Sequence, residues 1–112
     1  FVDESGMGAD VIRRNIKSTG LTGNTRVVVS TPEDYIRRCG QKFDLVFIDP
    51  PYNMDIINDV LGLLERSLGD DAIVVCEHPS GVCLRDSVAG IGLYKVYKYG
   101  ITSVSIYKKG DV

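Results

Sequence analysis

The chain has 112 residues, of which 44% are hydrophobic and 25% charged, a mixture typical of one globular domain with a small core. Its net charge of -2 argues against nucleic-acid binding, because contacts to phosphates need a basic surface. No apolar run is long enough to cross a bilayer, and the first residues lack the basic start and the apolar stretch of a signal peptide. The three cysteines are widely spaced, which predicts neither a zinc site nor a disulfide framework, so we expect a reduced, cytoplasmic protein.

The first half of the chain alternates strand and helix patterns. Residues 1–3 resemble the tail of a strand, and residues 9–18 carry apolar side chains at helical spacing. The β-branched run at 26–30 predicts a short buried strand. Thr31 and Pro32 are the residue types favoured at the N-cap and first position of a helix, so a second helix is predicted from there through residue 39.

The second half adds two further strands, a helix and a hairpin. Residues 43–49 predict a buried strand, and residues 72–77 predict the next one. Residues 93–99 and 101–108 alternate apolar and polar side chains around a glycine, which predicts an antiparallel pair. Between the two buried strands, residues 55–67 predict an amphipathic helix with an apolar face of Ile56, Val60, Leu63 and Leu64.

This order of elements predicts an α/β fold with helices on both faces of a mostly parallel sheet, closed by one antiparallel strand pair. The chain begins where a strand is ending, and a parallel strand of this kind needs neighbours on both sides. We therefore expect a single, truncated domain over residues 1–112, from which N-terminal strand structure is missing.

Polar residues follow four of the predicted strands. They are Asp3, Thr31-Pro32, Asp49-Pro50-Pro51-Tyr52 and Glu77-His78. Because ligands of open α/β sheets bind outside the carboxyl ends of the strands, these four positions predict one binding edge.

The segment Asp49-Pro50-Pro51-Tyr52 is the most specific of the four. Two prolines lack N–H donors and fix φ, so the loop is stiff, while the proline carbonyls remain free acceptors. The Asp49 carboxylate and the Pro50 carbonyl can accept the two hydrogens of an amine, and the Tyr52 ring can stack on a planar base for about 1–3 kcal/mol. The segment therefore predicts a site for a flat substrate with an NH2 group; the alternative is a plain strand-to-helix turn.

After its apolar strand, Asp49-Pro50-Pro51-Tyr52 resembles the fourth motif of amino-directed, S-adenosylmethionine-dependent methyltransferases. Other segments are similar to the RsmD-type 16S rRNA (guanine-N2)-methyltransferases, which have the Rossmann-like class I methyltransferase fold. These segments are Asp3 with Asn15-Ile16 and Gly20-Leu21, Val74-Val75-Cys76-Glu77-His78, and Lys98-Tyr99-Gly100 with Thr102-Ser103-Val104-Ser105-Ile106-Tyr107. The resemblance covers nearly the whole chain, although the glycine-rich first motif of the family is absent.

The resemblance implies that S-adenosyl-L-methionine is the cofactor. Asp3 would accept hydrogen bonds from its ribose hydroxyls, the usual role of an acid at the end of a second Rossmann-like strand. Thr31 and Pro32 would lie beside the adenine, and Asp49 would also border the cofactor.

The resemblance further implies 16S rRNA or the small-subunit ribosomal particle as the partner, with no metal and no membrane. Asp49, Pro50, Pro51 and Tyr52 would form the catalytic site and hold the N2 amine of the target guanine, with Tyr52 against the base. His78 would line the substrate side; an ordinary structural histidine is an equal alternative.

Two other functions stay open at this stage. The same tetrapeptide occurs in DNA adenine-N6 methyltransferases, so DNA is an alternative substrate. Because the first strand and the glycine-rich loop are missing, the chain is alternatively a truncated, non-catalytic Rossmann-like fragment.

Overall fold

The computed structural model describes residues 1–49 and 54–110. The chain forms two compact units, Phe1–Cys39 and Gly40–Val112. Three residues of the predicted catalytic segment, Pro50, Pro51 and Tyr52, lie outside the described ranges. Within those ranges, no helix has the length and apolar character needed to span a membrane.

The first unit contains two strands and two helices in alternation. They are β1 (Val2–Asp3), α1 (Gly6–Thr19), β2 (Val28–Val29) and α2 (Pro32–Arg38). The two strands pair in parallel, with Asp3 opposite Val29. The β2 strand is shorter than predicted and the expectation of burial was wrong, because Val29 is 50% exposed.

Both helices of this unit are fixed by caps that the sequence contains. Helix α1 begins at Gly6, three residues before the predicted start, because the Ser5 hydroxyl accepts a hydrogen bond from the Gly8 N–H at 3.2 Å. It ends at Gly20, which adopts the left-handed conformation at φ 75 that few other residues tolerate. The predicted start of α2 is confirmed, since the Thr31 hydroxyl accepts from the Asp34 N–H at 3.2 Å.

The described residues of the second unit form a five-stranded sheet and one α-helix. Its elements are β3 (Phe43–Ile48), α3 (Met54–Leu64), a 3-10 turn (Glu65–Ser67), β4 (Leu68–Pro79), β5 (Ser87–Val88), β6 (Ile91–Tyr99) and β7 (Thr102–Lys109). The strand order is β3-β4-β7-β6-β5, with β3 parallel to β4 and all other neighbours antiparallel.

The predicted antiparallel pair around Gly100 is confirmed as β6 and β7. The expectation of a mostly parallel sheet was wrong for the described strands, which form two parallel and three antiparallel pairs. Two of the antiparallel pairs, β5–β6 and β6–β7, are consecutive strands joined by short turns, and such turns can join only antiparallel neighbours. The short strand β5 was not predicted.

The core of the second unit lies between α3 and one face of the sheet. From the sheet it contains the buried side chains of Ile48, Val74, Cys76 and Tyr107. The buried residues of α3 are Ile57, Val60, Leu61 and Leu64, so the predicted face was rotated by about one residue. Ile56 and Leu63, which were assigned to that face, are only half-buried.

Strand β3 differs most from its prediction. Its continuous apolar run indicated burial on both faces, but Leu45 is 68% exposed and Phe47 is 61% exposed. Side chains alternate along a strand, so these two lie on the opposite face from the buried Ile48. An apolar run alone cannot show whether a second layer covers a strand.

Candidate functional site

The carboxylate of Asp3 lies at the carboxyl end of the β1–β2 pair. The Ser5 N–H donates a hydrogen bond to Asp3 Oδ1 at 2.8 Å, and the Ser30 N–H donates to the Asp3 carbonyl at 3.0 Å. The side chain is half-buried at the start of α1. Unpaired N–H groups and the helix dipole favour a negative group at this position.

Gly8 makes room for this carboxylate. A Cβ built at position 8 would lie 2.7 Å from Asp3 Oδ2, closer than such atoms approach in real proteins. Among the described residues, Asp3 Oδ2 accepts no hydrogen bond, so one carboxylate oxygen remains available to a hydroxyl. That this oxygen holds the ribose of S-adenosylmethionine stays a prediction. Sequence reasoning overlooked Gly8, although a glycine five residues after a strand-terminal acid was the available signal.

Thr31 and Pro32 lie next to Asp3 at the same end of the strand pair. They follow Ser30, whose N–H reaches the Asp3 carbonyl, and both are half-buried. The Thr31 hydroxyl already accepts the hydrogen bond that caps α2. Its role beside an adenine ring stays a prediction, and the cap leaves its hydroxyl less available for one.

Asp49 follows β3 directly and is exposed. Because β3 and β4 run in parallel with Ile48 opposite Cys76, Asp49 emerges at the level of Glu77. The structure thus brings Asp49 and Glu77-His78 to one end of the five-stranded sheet. That all four polar strand ends form a single edge stays a prediction.

His78 is 5% exposed and has a partner on each ring nitrogen. Nδ1 lies 3.0 Å from the Pro79 carbonyl oxygen, and Nε2 lies 2.7 Å from Ser105 Oγ. A carbonyl only accepts, so Nδ1 carries the hydrogen, and Nε2 of the neutral ring accepts from the Ser105 hydroxyl. These contacts agree with the structural alternative; a substrate contact, which stays a prediction, would require the ring to give up one of them.

Cys76, opposite Ser105 in the sheet, is not a candidate nucleophile. Burial raises the pKa of its thiol to about 12, so the thiol stays protonated at neutral pH, and only a thiolate is an effective nucleophile. In the described part of the chain, no group of three or more histidine, cysteine, aspartate or glutamate side chains is placed to hold a metal ion.

The chain is similar to known proteins along nearly its whole length. A model of the family described as conserved hypothetical protein 95 matches residues 1–108. YlbH of Bacillus subtilis (strain 168), provisionally named an rRNA methyltransferase, is 29% identical over 97% of this chain and 62% of its own length. Ribosomal RNA small subunit methyltransferase D of Escherichia coli (strain K12) is 31% identical over 72% of this chain and 47% of its own length. The chain therefore spans less than two thirds of either relative.

A solved structure has the same fold. The Escherichia coli protein yhhF, provisionally named a methyltransferase, superposes with a TM-score of 0.83 at 23% identity, covering 99% of this chain and 63% of that one. At this identity the likeness concerns the fold, an α/β architecture with a mixed sheet.

Proposed function

We infer a function from one premise: the chain belongs to the family described as conserved hypothetical protein 95, which is the RsmD family that its motifs resemble. We propose that the protein methylates the exocyclic N2 amine of a guanine in 16S rRNA, with S-adenosylmethionine as cofactor. Two relatives named for rRNA methylation support the substrate class.

The observation that carries this proposal is the exposed carboxylate of Asp49 at the end of β3. Guanine N2 is a poor nucleophile because its lone pair is conjugated with the ring. The Asp49 carboxylate and the Pro50 carbonyl would accept the two amine hydrogens and so orient the nitrogen. The carboxylate would also stabilise the positive charge that develops on nitrogen, so the catalysis rests on positioning and electrostatics.

S-adenosylmethionine supplies the methyl group when it is bound. The Asp3 carboxylate, which occupies the space where a side chain at position 8 would lie, would hold the ribose through Oδ2. Ser5 and Thr31 cap α1 and α2, the helices that follow β1 and β2. Thr31 and Pro32 would flank the adenine.

A base that receives a methyl group on an exocyclic amine must leave its stack to enter the site. Tyr52 would stack on the displaced guanine, which offsets part of the cost of unstacking. This role comes from the sequence motif, as does the acceptor role of the Pro50 carbonyl.

The decisive experiment compares Asp49→Ala with Asp70→Ala in the full-length protein. Asp70 is also an exposed acid, but it lies near the other end of β4. Transfer of labelled methyl groups is measured on 16S rRNA, on small-subunit particles and on DNA, and cofactor affinity is measured by calorimetry. We expect Asp49→Ala to lower methyl transfer by at least about 100-fold, the scale of losing a preorganised electrostatic group. Cofactor affinity should change little, and Asp70→Ala should behave like the parent.

Near-normal turnover of Asp49→Ala would refute the proposed role of the carboxylate. Labelling of DNA in preference to rRNA would instead refute the substrate, and mapping the labelled nucleotide tests the guanine N2 position directly.

A further inference from the structure

Strand β6 presents an unusual surface from Tyr94 to Tyr99. All six residues of this stretch are exposed, although alternate residues of a strand commonly face a core. Tyr94 is 56%, Tyr97 41% and Tyr99 66% exposed. Strand β5 pairs with β6 only at Ile91 and Gly92, so no described strand covers the outer edge beyond them. Exposed aromatic groups in a row mark a surface that contacts a partner.

The charge of this region is opposite to that of the whole chain. Residues 87–109 contain four lysines and no acidic residue, whereas the complete chain has a net charge of -2. Lys109 donates to the Leu68 carbonyl at 2.9 Å and is therefore occupied. Within the described ranges, Lys95, Lys98 and Lys108 take part in no ion pair. Two of these cations, Lys95 and Lys108, lie against tyrosine rings, an arrangement that suits a polyanion with flat groups.

A β-bulge in β6 places its exposed tyrosines and Lys95 on the same face of the sheet as Lys108. The register of β6 against β7 shifts between Leu93 and Lys95, so Tyr94 is an extra residue. Two contacts between cation and ring follow: Lys108 Nζ lies 3.8 Å from the centroid of the Tyr94 ring, and Lys95 Nζ lies 4.9 Å from that of Tyr97. We call Tyr94, Lys95, Tyr97, Tyr99 and Lys108 the aromatic–basic strip.

The strip lies in the same sheet as Asp49. Tyr97 is opposite Val104, Val104 is opposite Glu77, and Asp49 emerges at the level of Glu77 on the next strand. Three strand spacings of about 4.8 Å separate β3 from β6, or about 14 Å. A stacked nucleic-acid strand rises about 3.4 Å per nucleotide, so about four nucleotides span this distance.

We propose that the aromatic–basic strip binds the single-stranded RNA that flanks the target nucleotide; the identity of that RNA rests on the proposed function. Successive bases stack on Tyr94, Tyr97 and Tyr99, as bases stack on the aromatic side chains of other RNA-binding sheets. Lys95 and Lys108 lie against phosphates, and stacking without base-specific hydrogen bonds makes the binding tolerant of sequence.

The test measures binding and methylation separately. Fluorescence anisotropy of a labelled 12-nucleotide single-stranded RNA of mixed sequence gives the affinity at several salt concentrations. We expect the double variant Tyr97→Leu/Tyr99→Leu to bind at least about tenfold more weakly, because each stacked base contributes substantially. Leucine keeps an apolar side chain on the strand but removes the ring.

A second variant keeps the test independent of the tyrosines. In Lys95→Gln/Lys108→Gln, the slope of log affinity against log salt should become shallower by about 0.7 for each phosphate that is no longer neutralised. The control Arg14→Gln/Lys17→Gln removes two exposed cations from α1 and should leave affinity within about twofold. Thermal melting checks that each variant is folded.

The outcomes separate the strip from the catalytic proposal. The strip variants should raise the KM for rRNA with little change in kcat, whereas Asp49→Ala should lower kcat. Unchanged RNA affinity in both strip variants would overturn the proposal that the strip binds RNA, even if methylation of rRNA is confirmed. Strip variants that lose self-association in sedimentation but keep RNA affinity would make the surface a protein interface and likewise overturn it.

Discussion

The carboxylate of Asp3 occupies the space in which a side chain at position 8 would lie, so that Gly8 and Asp3 are fitted to each other at the start of α1. An alanine at position 8 must displace Asp3 Oδ2, to which its Cβ would come within 2.7 Å. We expect Gly8→Ala to weaken binding of S-adenosylhomocysteine about tenfold, measured by calorimetry on the full-length protein. That change is about 1.4 kcal/mol, comparable to one hydrogen bond to a charged group.

Gly6→Ala is the matched control for this prediction. No atom lies within 4 Å of a Cβ built at Gly6, which is also in the first turn of α1. We expect the affinity to stay unchanged and the helix to gain slightly, since alanine is the better helix former. Equal affinities of the two variants would show that the Asp3 carboxylate does not hold the cofactor.

The pairing of His78 with Ser105 gives a prediction about stability. Ser105→Ala leaves Nε2 of a buried ring without its donor, so the free energy of unfolding should fall by about 1–3 kcal/mol. Urea denaturation measures the change, with Ser87→Ala, an exposed serine on β5, as the control. If His78 also contacts the substrate, Ser105→Ala should alter the KM for rRNA. A loss of stability with unchanged kinetics would assign His78 a structural role.

The raised pKa of Tyr107 predicts how the stability of the protein changes in alkaline solution. Burial, with smaller contributions from Cys76 and Asp86, raises its pKa from 10.0 to about 12, and the pKa of the Cys76 thiol is raised from 9.0 to about 12. Both groups are held in their neutral forms, so the unfolded chain loses these protons first as the pH rises. The two groups therefore do not lower the free energy of unfolding below about pH 9, and they lower it progressively as the pH rises towards about 12.

Tyr107→Phe tests this prediction by urea denaturation at several pH values. At neutral pH the variant should be less stable by about 1 kcal/mol, because the Tyr107 hydroxyl donates to the Arg85 carbonyl at 2.6 Å. Between about pH 10 and 12 its stability should decline less than that of the parent. Parallel declines in the two proteins would contradict the assignment to Tyr107.

Two leucines test which face of the second unit is its core. Leu61 is 0% exposed on α3, whereas Leu45 is 68% exposed on β3. Leu61→Ala should lower the free energy of unfolding by about 2–5 kcal/mol, and Leu45→Ala by less than about 1 kcal/mol. Chemical denaturation of the two variants makes the comparison. Similar losses would mean that the exposed face of β3 is covered in solution.

Local signals predicted the element boundaries where a cap specifies them. The Thr31 cap, the Pro32 start and the Gly20 stop were each found from residue type, because capping uses contacts within a few residues. The Ser5 cap was missed, since the glycines after it argue against a helix. The predicted buried side of α3 differed from the observed one by about one residue. Periodicity alone could not choose the buried side, because apolar residues lie at too many positions of the helix: Ile56, Ile57, Val60, Leu61, Leu63 and Leu64.

The amino-acid order by itself determined the α/β alternation, the antiparallel β6–β7 pair and the family, because periodicity, turn residues and motifs are local in the chain. Only the tertiary structure decided which apolar strand is covered, that Gly8 accommodates Asp3, and that His78 is paired with Ser105. It also placed the exposed tyrosines of β6 in the same sheet as β3, the strand that leads into Asp49. Such relationships depend on strand order and register, which join residues far apart in the chain through packing and hydrogen bonds.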